Sequence, residues 1–325
     1  MEEQIFEQRT DLSLLNDAVM KLRQQIQKVI VGQDEMVQLI VAALLANGHV
    51  LIEGVPGVAK TLTAKLVARC LEVQFSRVQF TPDLMPSDVL GTPVFNPQEA
   101  QFTFKRGPVF SNIVLIDEIN RAPAKTQSAL FEIMEERQVT IDGKTYPMQA
   151  PFMVLATQNP IEQEGTYRLP EAQLDRFLFK IKVPYPTEQE ELQILSQFNN
   201  LGNRDVMAMV NPVLQATQIM EVQKQVKGII IDDKLLQFIA SLVHKTRNHK
   251  AIYLGASPRA SLAVMNASKA LAAMAGRDFV TPEDILQAVP PVLRHRIILS
   301  PDKEMEGVTE DAVIEQIIHT IDIPR

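Results

Sequence analysis

A glycine-bearing segment between a strand pattern and a helix pattern constrains this chain more than any other feature. The segment Gly54–Thr61 reads GVPGVAKT; it follows the apolar run Val50–Glu53 and precedes the helix pattern Leu62–Leu71. A loop of this kind directs several backbone N–H groups and the positive end of a helix dipole at one point, where a polyphosphate can bind. The order strand, loop, helix therefore predicts a phosphate site inside an α/β fold.

Individual residues of this segment have separate expected roles. The nucleotide contacts are expected from Gly54, Pro56, Gly57, Val58, Ala59, Lys60, Thr61 and Leu62. Lys60 would reach the β- and γ-phosphates, and the Thr61 hydroxyl would hold Mg²⁺. Ala59 stands where the general pattern G-x-x-x-x-G-K-[ST] has glycine, so a positive φ there would cost roughly 1–2 kcal/mol. The alternative is an ordinary Gly/Pro turn between a strand and a helix.

Two neighbouring carboxylates end a second apolar run. Asp117 and Glu118 follow Ile113–Ile116, whose four residues are all aliphatic. Ligands of parallel α/β sheets bind at the carboxyl ends of the strands, where these two side chains would lie. Asp117 would hold Mg²⁺ directly or through water, and Glu118 would orient and polarise an attacking water. A surface acidic turn is the alternative.

The order of patterns along the chain predicts two domains. Five strands are expected in the first, at Val50–Ile52, Val73–Phe80, Ile113–Ile116, Phe152–Ala156 and Phe177–Val183. Helix-period stretches at Asp34–Ala46, Lys60–Leu71 and Ala124–Glu136 alternate with them, as a parallel sheet covered by helices requires. The segments Gly91–Phe104 and Gln138–Tyr146 instead indicate hairpins.

After Pro184–Pro186 the remaining patterns are helical. We expect helices at Glu188–Phe198, Asp233–Thr246, Pro258–Met274 and Pro282–Val289, the first capped by Thr187 with Glu190. The predicted domains are therefore 1–186, an αβα core with an N-terminal helix, and 187–325, an all-helical lid, with a hinge between them.

Composition narrows the classes of function. Of the 325 residues, 46% are hydrophobic and 22% charged, which is typical of a globular protein. No stretch has the ~20 uncharged apolar residues that span a bilayer, so we expect no membrane insertion. The single cysteine, Cys70, has no internal disulfide partner, and we expect a cytoplasmic protein. A net charge of −7 argues against binding of nucleic acid by the whole surface.

Six sequence segments together resemble the MoxR family of AAA+ ATPases along almost the whole chain. They are Val31–Gln33, Gly54–Thr61, Leu115–Pro123 (LIDEINRAP), Ala156–Pro160 (ATQNP), Glu171–Phe179 (EAQLDRFLF) and Gly255–Ser261 (GASPRAS). The resemblance implies a five-stranded sheet in the order 5-1-4-3-2 between helices, with a helical lid closing over the nucleotide. Alanine at position 59 is common in this family, and the two hairpins match insertions that mark it.

The resemblance also assigns roles in the core. Asn159 is similar to the first sensor, whose amide bridges the γ-phosphate and the attacking water; a turn-forming Asn before Pro160 is the alternative. Arg176 resembles the arginine finger that reaches the neighbouring subunit's nucleotide. A salt bridge from Arg176 to Asp175 or Glu171 is the alternative. Arg168 is a second candidate for the finger.

Further roles fall on the lid and on the region before the first strand. Arg259 opens a predicted lid helix and resembles the second sensor, which would touch the γ-phosphate from above; a helix-surface arginine is the alternative. Val31 and Gly32 would flank the adenine, where an apolar backbone edge suits a flat base. A tight turn between helices would explain the same glycine without a nucleotide.

The function implied by this resemblance is remodelling of client proteins, driven by hydrolysis of ATP with Mg²⁺. The subunits would form a homo-oligomeric ring, expected to be a hexamer, and a protein with a von Willebrand factor A domain would be a partner. Three alternatives remain open: a nucleic-acid motor that uses Lys105, Arg106 and Lys144 on the hairpins, a metal-chelatase motor subunit, and a nucleotide-gated binding module that turns over too slowly to be a motor.

Overall fold

The computed structural model describes residues 12–98, 100–160, 166–201 and 205–324. The polar N-terminal segment 1–10 lies outside the described residues. In chain order the described strands are β1 (Val50–Gly54), β2 (Phe75–Gln79), β3 (Gly91–Asn96), β4 (Gln101–Arg106), β5 (Ile113–Asp117), β6 (Gln138–Ile141), β7 (Lys144–Pro147), β8 (Met153–Gln158), β9 (Phe179–Val183), β10 (Ile252–Leu254) and β11 (Ile298–Leu299).

Helices account for most of the other described elements. They are α1 (Ser13–Gln27), α2 (Asp34–Leu45), α3 (Lys60–Cys70), α4 (Pro86–Leu90), α5 (Ala124–Glu136), α6 (Glu171–Leu174), α7 (Glu188–Leu201), α8 (Ala216–Lys227), α9 (Asp233–Arg247), α10 (Pro258–Met274), α11 (Pro282–Leu293), α12 (Pro301–Met305) and α13 (Glu310–His319). None of these described helices is long and apolar enough to cross a membrane.

A parallel five-stranded sheet forms the centre of the first domain. Its order is β2-β5-β8-β1-β9, which is the expected order read from the opposite side. Every neighbouring pair is parallel, so all five carboxyl ends meet at one edge, called here the carboxyl edge, and all amino ends at the other, the amino edge. Strand β5 is buried at all five positions because helices cover both faces of the sheet.

Two hydrophobic clusters lie on the two faces of this sheet. One contains side chains from α1, α2 and α3 and continues without interruption into the helices after α7. The other packs the opposite face of the sheet against α5, with Phe131 and Phe177 in edge-to-face contact at 5.8 Å. The core and the lid therefore share one apolar cluster.

Both predicted hairpins are present. Strands β3 and β4 pair antiparallel from Gly91 with Arg106 to Asn96 with Gln101, two residues longer than expected. Strands β6 and β7 are joined by Asp142 and Gly143, whose φ values of 50° and 75° fit a two-residue hairpin turn.

The lid packs against one side of the core. Helix α10 packs on α1 and α2, and α11 packs on the edge strand β9, so the lid lies beside the sheet and not over the phosphate loop. The lid is helical as expected, except that β10 and β11 form a short antiparallel pair. Helix α7 has the predicted cap: the Thr187 backbone N–H donates to Glu190 Oε2 at 2.7 Å, and the Glu190 N–H donates to the Thr187 hydroxyl at 3.3 Å.

One lid helix is longer than its sequence suggested. Proline at 290 and 291 predicted an end at Val289, yet α11 continues to Leu293 through both prolines. Val292 and Leu293 are buried, so apolar burial in this last turn compensates for the backbone hydrogen bonds that proline cannot donate.

Candidate functional site

The phosphate loop joins β1 to α3 with two residues in the left-handed region. Gly57 has φ 90° and faces open space, while Ala59 has φ 57° and ψ 19° and immediately precedes the first residue of α3. The strain expected of an alanine at this position is therefore present in the fold. Within the loop, Lys60 Nζ donates to the Gly54 carbonyl at 2.5 Å, so the ammonium group lies against the backbone of the phosphate loop.

The environment of Lys60 suits a cation that exchanges partners. Burial lowers the pKa of Lys60, and the nearby carboxylates of Asp117, Glu118 and Glu53 oppose this shift. Among the described residues the hydrogen-bond acceptor of this half-buried ammonium is a backbone carbonyl, and a phosphate would be a stronger partner.

Asp117 ends β5 and receives donors from three elements. Its Oδ1 accepts from the Thr157 hydroxyl at 3.1 Å, its Oδ2 accepts from Arg77 Nε at 2.5 Å, and the Thr61 hydroxyl lies 3.4 Å from Oδ2. A carboxylate and a hydroxyl oxygen side by side are hard donors of the kind that Mg²⁺ prefers. The two residues predicted to hold the metal are thus adjacent, and they fit a magnesium ion.

Glu118 adopts a conformation that is rare for a residue with a side chain. Its φ is 58° and ψ 53°, and its backbone N–H donates to the Thr157 hydroxyl at 3.0 Å. Gln79 Nε2 donates to Glu118 Oε2 at 2.8 Å, and Arg121 Nε lies 3.0 Å from the same oxygen. Backbone strain of this kind is common at functional sites, where the surrounding structure maintains it.

Three residues of this site were not singled out from the sequence. Arg77 and Gln79 are two residues apart on β2, so their side chains lie on the same face of the strand. Arg77 Nη2 donates to Gln79 Oε1 at 3.3 Å. Thr157 precedes Asn159 in the ATQNP segment. The available signal was a pair of polar residues two apart on a strand that parallel pairing places beside Asp117.

A cavity of about 360 Å³ joins these groups at the carboxyl edge. The described residues that line it are Pro56, Gly57, Ala59, Lys60, Thr61, Leu62, Arg77, Gln79, Asp117, Glu118, Thr157 and Asn159. Asn159 follows β8 directly and is therefore placed where a first sensor is expected. Every lining residue precedes the lid, so the described part of the lid contributes none to this cavity.

Val31 and Gly32 lie outside the lining of this cavity, in the connection between α1 and α2. Gly32 has φ 68°, and a Cβ there would come within 2.3 Å of the Glu190 carboxylate at the start of α7. Gln33 Nε2 donates to the Pro184 carbonyl, just after β9, at 3.5 Å. The pair is thus at the carboxyl edge, and the positive φ favours glycine at position 32, where the nearest atoms belong to the movable end of the Glu190 side chain.

Arg176 lies at the opposite edge of the sheet. It precedes β9, and its Nη1 donates to the Phe131 carbonyl at 2.8 Å and to Glu135 at 3.2 Å, both on α5. The alternative salt bridge within EAQLD is therefore wrong for Arg176. Arg168 instead pairs with Glu171, at 3.6 Å, and its side chain is 84% exposed.

Arg259 also lies away from the phosphate loop. It lines a cavity of about 730 Å³ between α6 and the lid, together with Asp175, His295 and Arg296. The expectation that Arg259 contacts the γ-phosphate from above does not fit this position, because the lid packs beside the sheet. Both arginines assigned to the γ-phosphate thus lie near the segment before β9.

Comparisons with known proteins agree with this architecture. The family model "ATPase family associated with various cellular activities (AAA)" matches residues 49–179, and an AAA lid domain model matches 244–317. The chain is 45% identical to the uncharacterized protein YeaC of Bacillus subtilis, over 94% of each chain. It is 43% identical to the chaperone MoxR1 of Mycobacterium tuberculosis, over 93% of this chain and 81% of that one.

A solved structure supports the fold independently. A crystal structure of a candidate ATPase from Cytophaga hutchinsonii superposes with a TM-score of 0.88 at 41% identity, covering 95% of this chain and 96% of the other. The parallel sheet, the phosphate loop and the helical second domain are therefore shared with solved relatives.

Proposed function

This chain belongs to the MoxR family of AAA+ ATPases, and from that premise we propose that it uses ATP hydrolysis to remodel or mature partner proteins. One observation carries the catalytic part of the proposal: Lys60, Thr61, Asp117 and Glu118 line a single cavity at the carboxyl edge. This arrangement has the parts that phosphoryl transfer requires, which are a phosphate cradle, a cation, metal ligands and a carboxylate for the attacking water.

The chain's own residues divide the work at this site. Thr61 and Asp117 would hold Mg²⁺, which when bound neutralises phosphate charge. Lys60 would release the Gly54 carbonyl and bind the β- and γ-phosphates. Glu118 would orient and polarise the water, and Asn159 would fix that water against the γ-phosphate.

The distance between the edges supports action between subunits. Strand β9 pairs in register with β1, from Val50 with Phe179 to Gly54 with Val183. The phosphate loop begins where β1 ends, whereas Arg176 comes before β9 begins. Five residues of strand span about 16 Å, so Arg176 is separated from its own chain's phosphate site by about that length. We propose that Arg176 serves the nucleotide of a neighbour in a homo-oligomeric ring, specifically a hexamer, together with Arg259, which lines a cavity with Asp175.

Client recognition is proposed for the first hairpin. Phe95 on β3 and Phe102 on β4 are 50% and 69% exposed, and their ring centroids are 5.3 Å apart. An exposed aromatic pair on a projecting hairpin suits apolar segments of a partly folded protein. The chaperone name of the MoxR1 relative supports protein clients, and a partner with a von Willebrand factor A domain is part of the same proposal. We place this activity in the cytoplasm, where a lone buried cysteine such as Cys70 stays reduced.

Turnover by Glu118→Gln tests the catalytic proposal. We expect hydrolysis to fall by about 10²–10⁴-fold because the water loses its base. ATP binding, measured by calorimetry, should be retained because the cradle is unchanged. Affinity capture with this variant in ATP should then hold the client. Undiminished turnover would remove Glu118 from the mechanism, and capture of single-stranded nucleic acid instead of protein would favour the motor alternative.

A further inference from the structure

Asp175 joins the core to the lid through two separate lid elements. Its Oδ1 accepts from Arg296 Nε at 2.6 Å, and its Oδ2 accepts from the Ser257 hydroxyl at 3.3 Å. Arg296 follows α11, while Ser257 immediately precedes α10. Both carboxylate oxygens of one core residue are thus occupied by lid side chains.

Arg296 binds the backbone on both sides of Arg176. Its Nη2 donates to the Asp175 carbonyl at 3.0 Å and to the Phe177 carbonyl at 2.6 Å, and its Nη1 donates to the Leu178 carbonyl at 3.1 Å. The Arg296 side chain is only 4% exposed. Because a guanidinium is planar and its donors have fixed directions, these bonds define the path of the segment that presents Arg176.

Ser257 uses its hydroxyl in an unusual way. It occupies the N-cap position of α10, where a serine ordinarily accepts a hydrogen bond from its own helix, but it makes no such bond. The hydroxyl instead donates to Asp175. Arg259 lies two residues later, in the first turn of the same helix. Asp175 is therefore linked to the start of the helix that carries Arg259 and is adjacent in sequence to Arg176.

We propose that Asp175 and Arg296 are positioning residues for the reaction at the adjoining subunit, because they hold Arg176 and Arg259 in a fixed relation. The inference rests on the proposed role of Arg176 between subunits. Two cations on separate domains can act on one phosphate only if their spacing is maintained, and small misplacements of catalytic groups reduce rates strongly. The bonds of Asp175 and Arg296 between core and lid, called here the joint, also make the lid and the segment around Arg176 move as one body.

Two variants test the joint without touching either arginine. Asp175→Asn keeps the shape of the side chain and removes its charge, and Ser257→Ala removes only the hydroxyl bond. The second variant leaves the ion pair intact and decides the question if Asp175→Asn does not fold. Asp311→Asn is the matched control, because Asp311 of α13 also joins lid to core, at 2.9 Å from both Arg294 and Lys182, without contacting the Arg176 segment.

The readout is the split between kcat and KM, followed by subunit mixing. We expect kcat of Asp175→Asn to fall about tenfold and that of Ser257→Ala about threefold, with KM for ATP within twofold of wild type because the nucleotide cavity is at the other edge. Mixing either variant with Glu118→Gln should restore activity, since the latter supplies a correctly held Arg176 to a site with an intact Glu118. The Asp311→Asn control should keep wild-type kcat.

Arg176→Ala is measured in parallel to separate two kinds of failure. If it retains full activity, the assignment of Arg176 is wrong and this inference falls with it. If Arg176→Ala is inactive and rescued by mixing, while Asp175→Asn and Ser257→Ala match wild type, this inference alone is overturned. Loss of kcat without rescue on mixing would likewise overturn it, because the joint would then act only within its own chain.

Discussion

The two edges of one sheet differ in the surroundings of their titratable residues. At the carboxyl edge Lys60, Asp117 and Glu118 line an open cavity. At the amino edge the side chains of Arg296 and His49 are buried, and their acceptors include backbone carbonyls just before β9 and in α5. Groups that line an open cavity can exchange a hydrogen-bond partner for a ligand, whereas groups enclosed by protein cannot. The comparison indicates that one edge is built to exchange ligands and the other to maintain geometry.

The largest expected effect is on stability at the amino edge. Arg296→Met should lower the free energy of unfolding by about 3–5 kcal/mol, because it leaves the Asp175 carboxylate without its buried cation. Arg77→Met at the carboxyl edge also breaks an ion pair to a carboxylate, but the Arg77 side chain is 48% exposed, so we expect a cost of about 1 kcal/mol or less. Urea unfolding of both variants measures the difference. Equal losses of unfolding free energy would contradict the contrast between the two edges.

For nucleotide affinity, in contrast to stability, we expect the larger effect from a change at the carboxyl edge. Lys60→Ala should weaken ATP binding by about 1.5–3 kcal/mol, since the phosphates lose a charge-assisted donor, while the free energy of unfolding changes little. Lys65→Ala, on the exposed side of the same helix, is the control and should bind normally. Titration calorimetry provides the test, and unchanged affinity in Lys60→Ala would contradict the assignment of the cradle.

Acid should destabilise the protein in part through His49 at the amino edge. Burial, with Arg137 nearby, lowers the pKa of His49 to about 3 in the folded protein, against 6.5 for an exposed histidine. Between these values the unfolded chain binds a proton that the folded chain does not. Stability from this residue is therefore complete above about pH 6.5 and is lost as the pH falls, by up to about 1.4 kcal/mol per unit.

Substitution isolates this contribution. His49→Gln should reduce the slope of unfolding free energy against pH between 6 and 4, whereas His244→Gln, at an exposed position, should leave the slope unchanged. Denaturant unfolding at several pH values gives both slopes. The same slope in wild type and His49→Gln would show that this histidine is not held neutral by the fold.

The smallest effect concerns the strained alanine of the phosphate loop. Ala59→Gly should stabilise the protein by roughly 0.5 kcal/mol, because release of the left-handed strain slightly exceeds the entropy that glycine adds to the unfolded chain. Ala64→Gly, inside the helix α3 that follows the loop, should instead destabilise the protein by about 1 kcal/mol. Thermal unfolding distinguishes the signs, and destabilisation by both would show that Ala59 carries no strain.

The sequence predicted what is encoded locally. The phosphate loop, the Asp117-Glu118 pair and both hairpins followed from short patterns, whereas the strand order was implied by the family resemblance. The position of the lid and the bonds of Arg296 to Asp175 could not be predicted, because they depend on contacts between distant parts of the chain. Arg296 and Asp175 are 121 positions apart. The continuation of α11 through two prolines was also missed, since burial of Val292 and Leu293 is a tertiary effect.

Mixing Arg176→Ala with Glu118→Gln tests the central claim most directly, namely that the amino edge of one subunit completes the carboxyl edge of the next. Each variant alone should hydrolyse ATP at least about 10²-fold more slowly than wild type. The mixture should regain activity, because some interfaces then combine an intact Glu118 with an intact Arg176. A mixture no more active than its components, with co-assembly verified, would contradict the account.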